Sequence, residues 1–233
     1  MKKIKVLFVL SLLVNILLVG AGSLMVYKQG GIVFLKEQMK DLTSSQKYSD
    51  YYLQKKKLFE TLNDIEVDKI FLGDSITDHG EFQSYFTGED VLNRGIVEDD
   101  TKGILNRLDE VVNRNPKEVY IMVGINDIGQ NIDMNVYQNN IEKIVHSFDK
   151  NSTKVILQSI LPINNQDYNH TISNERIDQF NKVLKTIAEE NGIQYVDLNR
   201  HFEDENGQLK KELTVDGIHL NGEGYDTWLK NLK

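Results

Sequence analysis

The stretch Ile70-Phe71-Leu72-Gly73-Asp74-Ser75-Ile76-Thr77 runs an apolar strand directly into a tight turn that carries a serine. Outward from it, strands and helices alternate. Further strands are expected at Val91-Leu92-Asn93, Glu118 to Val123, Lys154 to Ile160 and Gln194 to Leu198. These runs are apolar without period-two alternation, as parallel strands covered on both faces are. Helical segments fall between them, roughly Thr101 to Asn113, Val136 to Asp149, Asn174 to Asn191 and Gly222 to Leu232. Asn191-Gly192 reads as a helix stop and Pro116 as a breaker. The pattern predicts a three-layer α/β/α fold around a central parallel sheet of about five strands.

In such sheets the ligand site lies outside the carboxyl ends of the strands. The residues with chemical potential obey that rule. Ser75 follows the first strand, Gly95 the second and Asn126 the third, the loop Pro162 to Ser173 follows the fourth, and Asp216 and His219 precede the final helix. Ser75 is the candidate nucleophile, and Gly73 permits the bend that lifts it out of the strand line. An Asp216 carboxylate three residues before His219 can accept the Nδ1 proton across a tight turn, leaving Nε2 to face the serine. Gly95 offers a backbone N–H and Asn126 a side-chain amide to a developing oxyanion. Each piece has a structural alternative: Asp74 or Ser75 as a helix cap, Asn126-Asp127 as an Asx-turn, Gly95 and Asp216-Gly217 as turn residues. The remaining histidines lack comparable surroundings, although His170 lies in the loop after the fourth strand. In this order the blocks make a serine esterase the leading reading.

Those blocks resemble the SGNH hydrolase superfamily, also called the GDSL esterase/lipase family. Gly73-Asp74-Ser75 resembles its serine block, Gly95 its glycine block, Gly124-Ile125-Asn126-Asp127 its G-x-N-D block and Asp216-Gly217-Ile218-His219 its D-x-x-H block. The match runs from about Lys69 to the C-terminus, with Ile76 in place of the leucine of the G-D-S-L signature. The resemblance implies a flavodoxin-like sheet, with Ser75 attacking an ester carbonyl, His219 accepting its proton and Asp216 orienting His219. It implies an oxyanion hole made by the N–H of Ser75, the N–H of Gly95 and the side chain of Asn126. An acyl-enzyme resolved by water follows, with no metal or organic cofactor; Asp74 and Asp127 are assigned to loop structure.

The chain has 233 residues, a formal net charge of −8 and no cysteine. That length suits one α/β domain. The charge argues against nucleic acid as a partner, and the missing cysteines exclude disulfides and thiolate chemistry. Lys2, Lys3 and Lys5 precede an apolar run from Val6 to Val26, long enough to cross a bilayer as a helix. An uncleaved anchor is expected over residues 1–27, with the N-terminus cytoplasmic and the rest extracytoplasmic at the cell membrane. The rival is a signal peptide cut near Val19-Gly20-Ala21, which would release a secreted protein. A helical stalk and first domain helix are expected over 28–63 and the catalytic domain over 64–233. Lys55-Lys56-Lys57 reads as the solvated face of that helix.

An anchored, outward-facing esterase meets O-acetylated envelope glycans, and the polar loop Ile163 to His170 suits sugar hydroxyls better than a long acyl chain. Alternatives are an acyltransferase to a sugar alcohol, a lysophospholipase or lipase, a metal-dependent phosphoesterase built on Asp74, Asp127, Asp216 and His219, and a non-catalytic envelope scaffold.

Overall fold

The computed structural model describes Ser11, Val14, Asn15 and residues 48–62 and 67–232. The chain divides into two units, Met1–Tyr48 and Ser49–Lys233. The expected membrane helix and the stalk before Tyr48 lie outside the described residues but for those three positions. Among the described residues no helix is long and apolar enough to cross a membrane.

The second unit holds a five-stranded sheet: β1 (Lys69–Gly73), β2 (Val91–Gly95), β3 (Glu118–Met122), β4 (Lys154–Gln158) and β5 (Gln194–Val196). Their order is β2-β1-β3-β4-β5 and every pairing is parallel. Because β2 and β3 flank β1, the chain reverses its direction of travel at β1, and a crevice opens at the carboxyl ends of β1 and β3.

Side chains of a strand alternate between faces, and here both faces are covered. Ile70, Leu72, Val119, Ile121, Val155 and Leu157 enter one core, with Ile104, Ile141, Phe180 and Leu184. Phe71, Tyr120, Met122 and Ile156 enter the other, with Phe82, Phe202 and Trp228. Phe71 stacks on Phe82 at 3.8 Å between ring centroids and on Tyr120 at 4.8 Å. Each such fully buried side chain contributes about 1.5–3 kcal/mol.

The first face carries α4 (Thr101–Asn106), α5 (Leu108–Val112), α7 (Met134–His146) and α8 (Asn174–Asn191); the second carries α3 (Phe82–Tyr85), α9 (Asn199–Phe202) and α10 (Gly222–Lys230). Gly192 ends α8 in the left-handed conformation (φ 64°), the stop read in the sequence. The helix expected from Thr101 to Asn113 is instead two short helices broken at Arg107, whose φ is −128°. Arg107 gives up helical geometry because its buried guanidinium reaches the Asp99 carboxylate and the carbonyls of Gly73 and Arg94.

α1 (Asp50–Thr61), in the stretch where a first domain helix is expected, belongs to the same compact unit as the sheet. Tyr52 Oη donates to Gly103 O at 2.7 Å, and Lys56 Nζ donates to Asn106 O at 2.7 Å. Lys55 is paired with Asp78 at 2.6 Å, so two of the three adjacent lysines hold α1 to the domain and only Lys57 is a solvated charge.

Candidate active site

β1 ends at Gly73 because nothing larger fits: a Cβ there would stand 2.2 Å from Thr77 Oγ1 and 2.3 Å from Met122 O. The chain then turns into α2 (Ser75–Asp78), capped by Asp74, whose carboxylate accepts the Ile76 N–H at 3.0 Å. This places Ser75, 6% exposed, at the crevice between β1 and β3. The turn also accepts a hydrogen bond from α10: Tyr225 Oη donates to Ile76 O at 2.7 Å and fixes the turn to that helix.

Ser75 Oγ lies 2.9 Å from His219 Nε2, and His219 Nδ1 lies 2.7 Å from Asp216 Oδ2. An ionised carboxylate only accepts, so Nδ1 carries the proton and Nε2 is left as the acceptor for the serine hydroxyl. Asp216 Oδ1 also accepts the N–H groups of Ile218 (3.0 Å) and His219 (2.8 Å). Burial raises the Asp216 carboxyl, but the bonds from the His219 ring and from these two N–H groups outweigh it and hold it below its ordinary value. Thr214 Oγ1 donates to His219 O and accepts the Gly217 N–H, closing the loop on itself.

The polar loop after β4 braces that turn. Asn164 N–H donates to Gly217 O at 2.8 Å and His170 Nε2 donates to Asp216 O at 2.8 Å. Gly217 has φ +89°, and a Cβ there would meet Tyr168, Asn164 O and His170 within 3 Å. His170 thus touches the candidate triad through the backbone of Asp216. His79 was missed in the sequence: its ring centroid is 5.4 Å from that of His219. The signal was its spacing, four residues after Ser75 and so one helical turn on.

The two further oxyanion donors fare differently. Asn126, at the start of α6 (Ile125–Gly129), donates one amide hydrogen to Asp99 O at 2.8 Å, and an amide nitrogen carries a second. Gly95, expected as an oxyanion donor, gives its single N–H to Asn93 Oδ1 at 2.8 Å in this structure. Ile96 N–H bonds to Gly73 O, and alternation along β2 points the Gly95 N–H off the sheet edge. Glycine is needed here for close approach, since a Cβ would stand 2.0 Å from Asp78 N. Asn93 also donates to the carbonyls of Thr77, Asp78 and Gly80, and so splices β2 to the nucleophile turn.

Asp74 and Asp127 are buried and serve structure. Asp127 accepts the Thr101 hydroxyl at 2.5 Å and its N–H at 3.1 Å. Burial pushes both carboxyls up to about 7, against the hydrogen bonds each accepts. Burial pushes Asp99 to about 6, against its ion pair with Arg107 at 2.8 Å.

A parallel α/β/α sheet with a hydroxyl, an imidazole and a carboxylate linked along its carboxyl edge is the architecture of a serine hydrolase. The model of the GDSL-like Lipase/Acylhydrolase family matches residues 71–227. Among solved structures, the chain is similar to a candidate platelet activating factor from Streptococcus pneumonia, with 28% identity, a TM-score of 0.74, and coverage of 87% of this chain and 98% of that one. It is also similar to a GDSL-like lipase from Bacteroides thetaiotaomicron (27% identity, TM-score 0.66, coverage 78% and 94%). An acetylxylan esterase from Geobacillus stearothermophilus shares the fold at 23% identity, a TM-score of 0.59 and coverage of 71% and 91%. An N-acylneuraminate cytidylyltransferase from Streptococcus agalactiae is 28% identical over 171 residues, 73% of this chain, and the chain spans only 39% of that relative's length. The chain belongs to the GDSL-like lipase/acylhydrolase family, within the SGNH superfamily of serine-dependent carboxylic ester hydrolases.

Proposed function

We propose that the protein is a membrane-anchored, extracytoplasmic esterase that removes short acyl groups, above all O-acetyl groups, from envelope glycans through Ser75, His219 and Asp216. The observation that carries the reading is the unbroken hydrogen-bond chain from Ser75 Oγ through His219 to Asp216, at 2.9 and 2.7 Å. His219 Nε2 takes the hydroxyl proton as Oγ attacks the ester carbonyl. The imidazolium formed is stabilised by Asp216, which stays ionised. The oxyanion is held by the second hydrogen of Asn126 Nδ2 and the Ser75 N–H, each donor worth about 3 kcal/mol of barrier. Collapse of the intermediate expels the alcohol, which takes the proton from Nε2. Water, deprotonated by the same nitrogen, then resolves the acyl-enzyme.

Three observations support an acetylated glycan. The polar loop after β4 is bonded to the Asp216–His219 turn through the Asn164 N–H and His170 Nε2. Acetylxylan esterase is the function of a protein with the same fold, and the curated relative is named for an N-acylated sugar. The apolar run after Lys5 supports tethering at a membrane, where such polymers are met. Turnover of p-nitrophenyl acetate against p-nitrophenyl octanoate by residues 28–233 tests the acyl preference. Acetate is the expected substrate; preference for octanoate would move the function to lipids.

A further inference from the structure

Three described non-glycine residues have left-handed backbone: Glu98 (φ 65°), Asn115 (46°) and Asn131 (55°). Asparagine tolerates that conformation because its short amide bonds locally to the backbone, whereas glutamate has no such compensation. Glu98 is the third residue of the turn Ile96–Asp99, closed by the Asp99 N–H donating to Ile96 O at 3.2 Å, a position that favours glycine. A bulky residue held in a sparsely populated conformation is a pointer to function when it stands at a site.

This turn does stand at the site. Ile96 N–H donates to Gly73 O at 3.2 Å, two residues before Ser75. Arg107 joins the Asp99 carboxylate, at 2.8 Å, to the same Gly73 carbonyl, at 3.1 Å. The Asp99 carbonyl accepts from Asn126 Nδ2 at 2.8 Å. The turn that carries Glu98 is therefore tied on one side to the end of β1 and on the other, through the adjacent Asp99 carbonyl, to the Asn126 amide. The Glu98 side chain is exposed, and no ion pair or hydrogen bond engages its carboxylate among the described residues.

We propose that the Glu98 carboxylate is a specificity-determining group, accepting hydrogen bonds from hydroxyl groups next to the ester and so selecting esters of sugars over esters of simple alkanols. The inference rests on the esterase reading. An acceptor-only carboxylate matches hydroxyl donors and gains nothing from an alkyl group. A hydrogen bond to an ionised acceptor is stronger than one to a neutral oxygen.

The test compares acetate release from methyl O-acetyl-glucopyranoside and from ethyl acetate, two acetyl esters of unactivated alcohols, by the wild type, Glu98→Gly and Glu98→Gln. Glycine accepts φ 65° and preserves the turn, which thermal melting verifies. The ratio of kcat/KM for the sugar ester to that for ethyl acetate should fall about 10-fold or more in Glu98→Gly, and less in Glu98→Gln, whose amide oxygen still accepts. An unchanged ratio in both variants overturns the proposal while leaving the esterase reading intact. A wild type that releases acetate from neither ester nor from p-nitrophenyl acetate defeats the esterase reading itself, and the proposal with it.

Discussion

His219 accepts from Ser75 only while its Nδ1 proton is held by Asp216, so the three residues contribute unequally. Ser75→Ala and His219→Ala should each lower kcat by roughly ten-thousand-fold or more without unfolding the protein. Asp216→Asn should keep on the order of 10–100 times more turnover than Ser75→Ala, because the carboxylate orients and stabilises without exchanging a proton with substrate. Equal rates in all three variants and the wild type would refute the triad. Asn126→Ala should raise the barrier by about 3 kcal/mol, read as a fall in kcat with little change in KM; a loss of stability at constant rate would instead mark Asn126 as a turn residue. Gly95→Ala should also lose activity, but by pushing α2 aside, because its Cβ would collide with Asp78 N at 2.0 Å. The bonding of His219 to Asp216 was legible because D-x-x-H spacing nearly dictates its own hydrogen bonds. The fate of the Gly95 N–H was not, since it depends on where the Asn93 side chain turns.

At the level of elements, strands were easier to read than the pieces between them. A run such as Ile70-Phe71-Leu72 is apolar at every position because both faces are buried, and β1 falls where that run does. The break at Arg107 was invisible because it comes from a long-range pull on a guanidinium, not from any local helix breaker. The four-residue α2, α3 and α9 are too short for periodicity to announce. Lys55-Lys56-Lys57 were read as the solvated face of the first domain helix, yet Lys55 and Lys56 bond to the domain and Tyr52 anchors the helix through a buried hydroxyl. Tyr52→Phe removes a hydroxyl that donates to Gly103 O and accepts from Asn106 Nδ2. It should cost about 1–3 kcal/mol, seen as a lower urea midpoint at unchanged slope. An unchanged midpoint would show that α1 is only loosely attached.

For the whole molecule, the buried acids beneath the site set the response to pH. The Asp74 and Asp127 carboxyls sit at about 7, against 3.8 for the free side chain. Between those values the folded protein keeps protons that the unfolded chain has released, so these groups make stability fall as pH rises through that window. Opposing groups are Asp216 and Glu118, whose lowered carboxyls withdraw stability only in acid, as pH falls through their folded values. Tm should therefore be higher near pH ~5.5 than near pH ~8; a Tm that rises with pH over that interval would contradict the burial of this cluster. The two-layered core and its parallel sheet followed from the alternation of strand and helix patterns, whereas the turn that brings Glu98 to the site required the long-range bonds of Arg107 and Asn126. The central claim is that Ser75 is the nucleophile, and a fluorophosphonate probe tests it most directly when the labelled residue is mapped by peptide mass spectrometry. The account predicts phosphonylation of Ser75 in the wild type, greatly slowed labelling in His219→Ala and none in Ser75→Ala. A label on another residue, or ester hydrolysis that continues in Ser75→Ala, would contradict it.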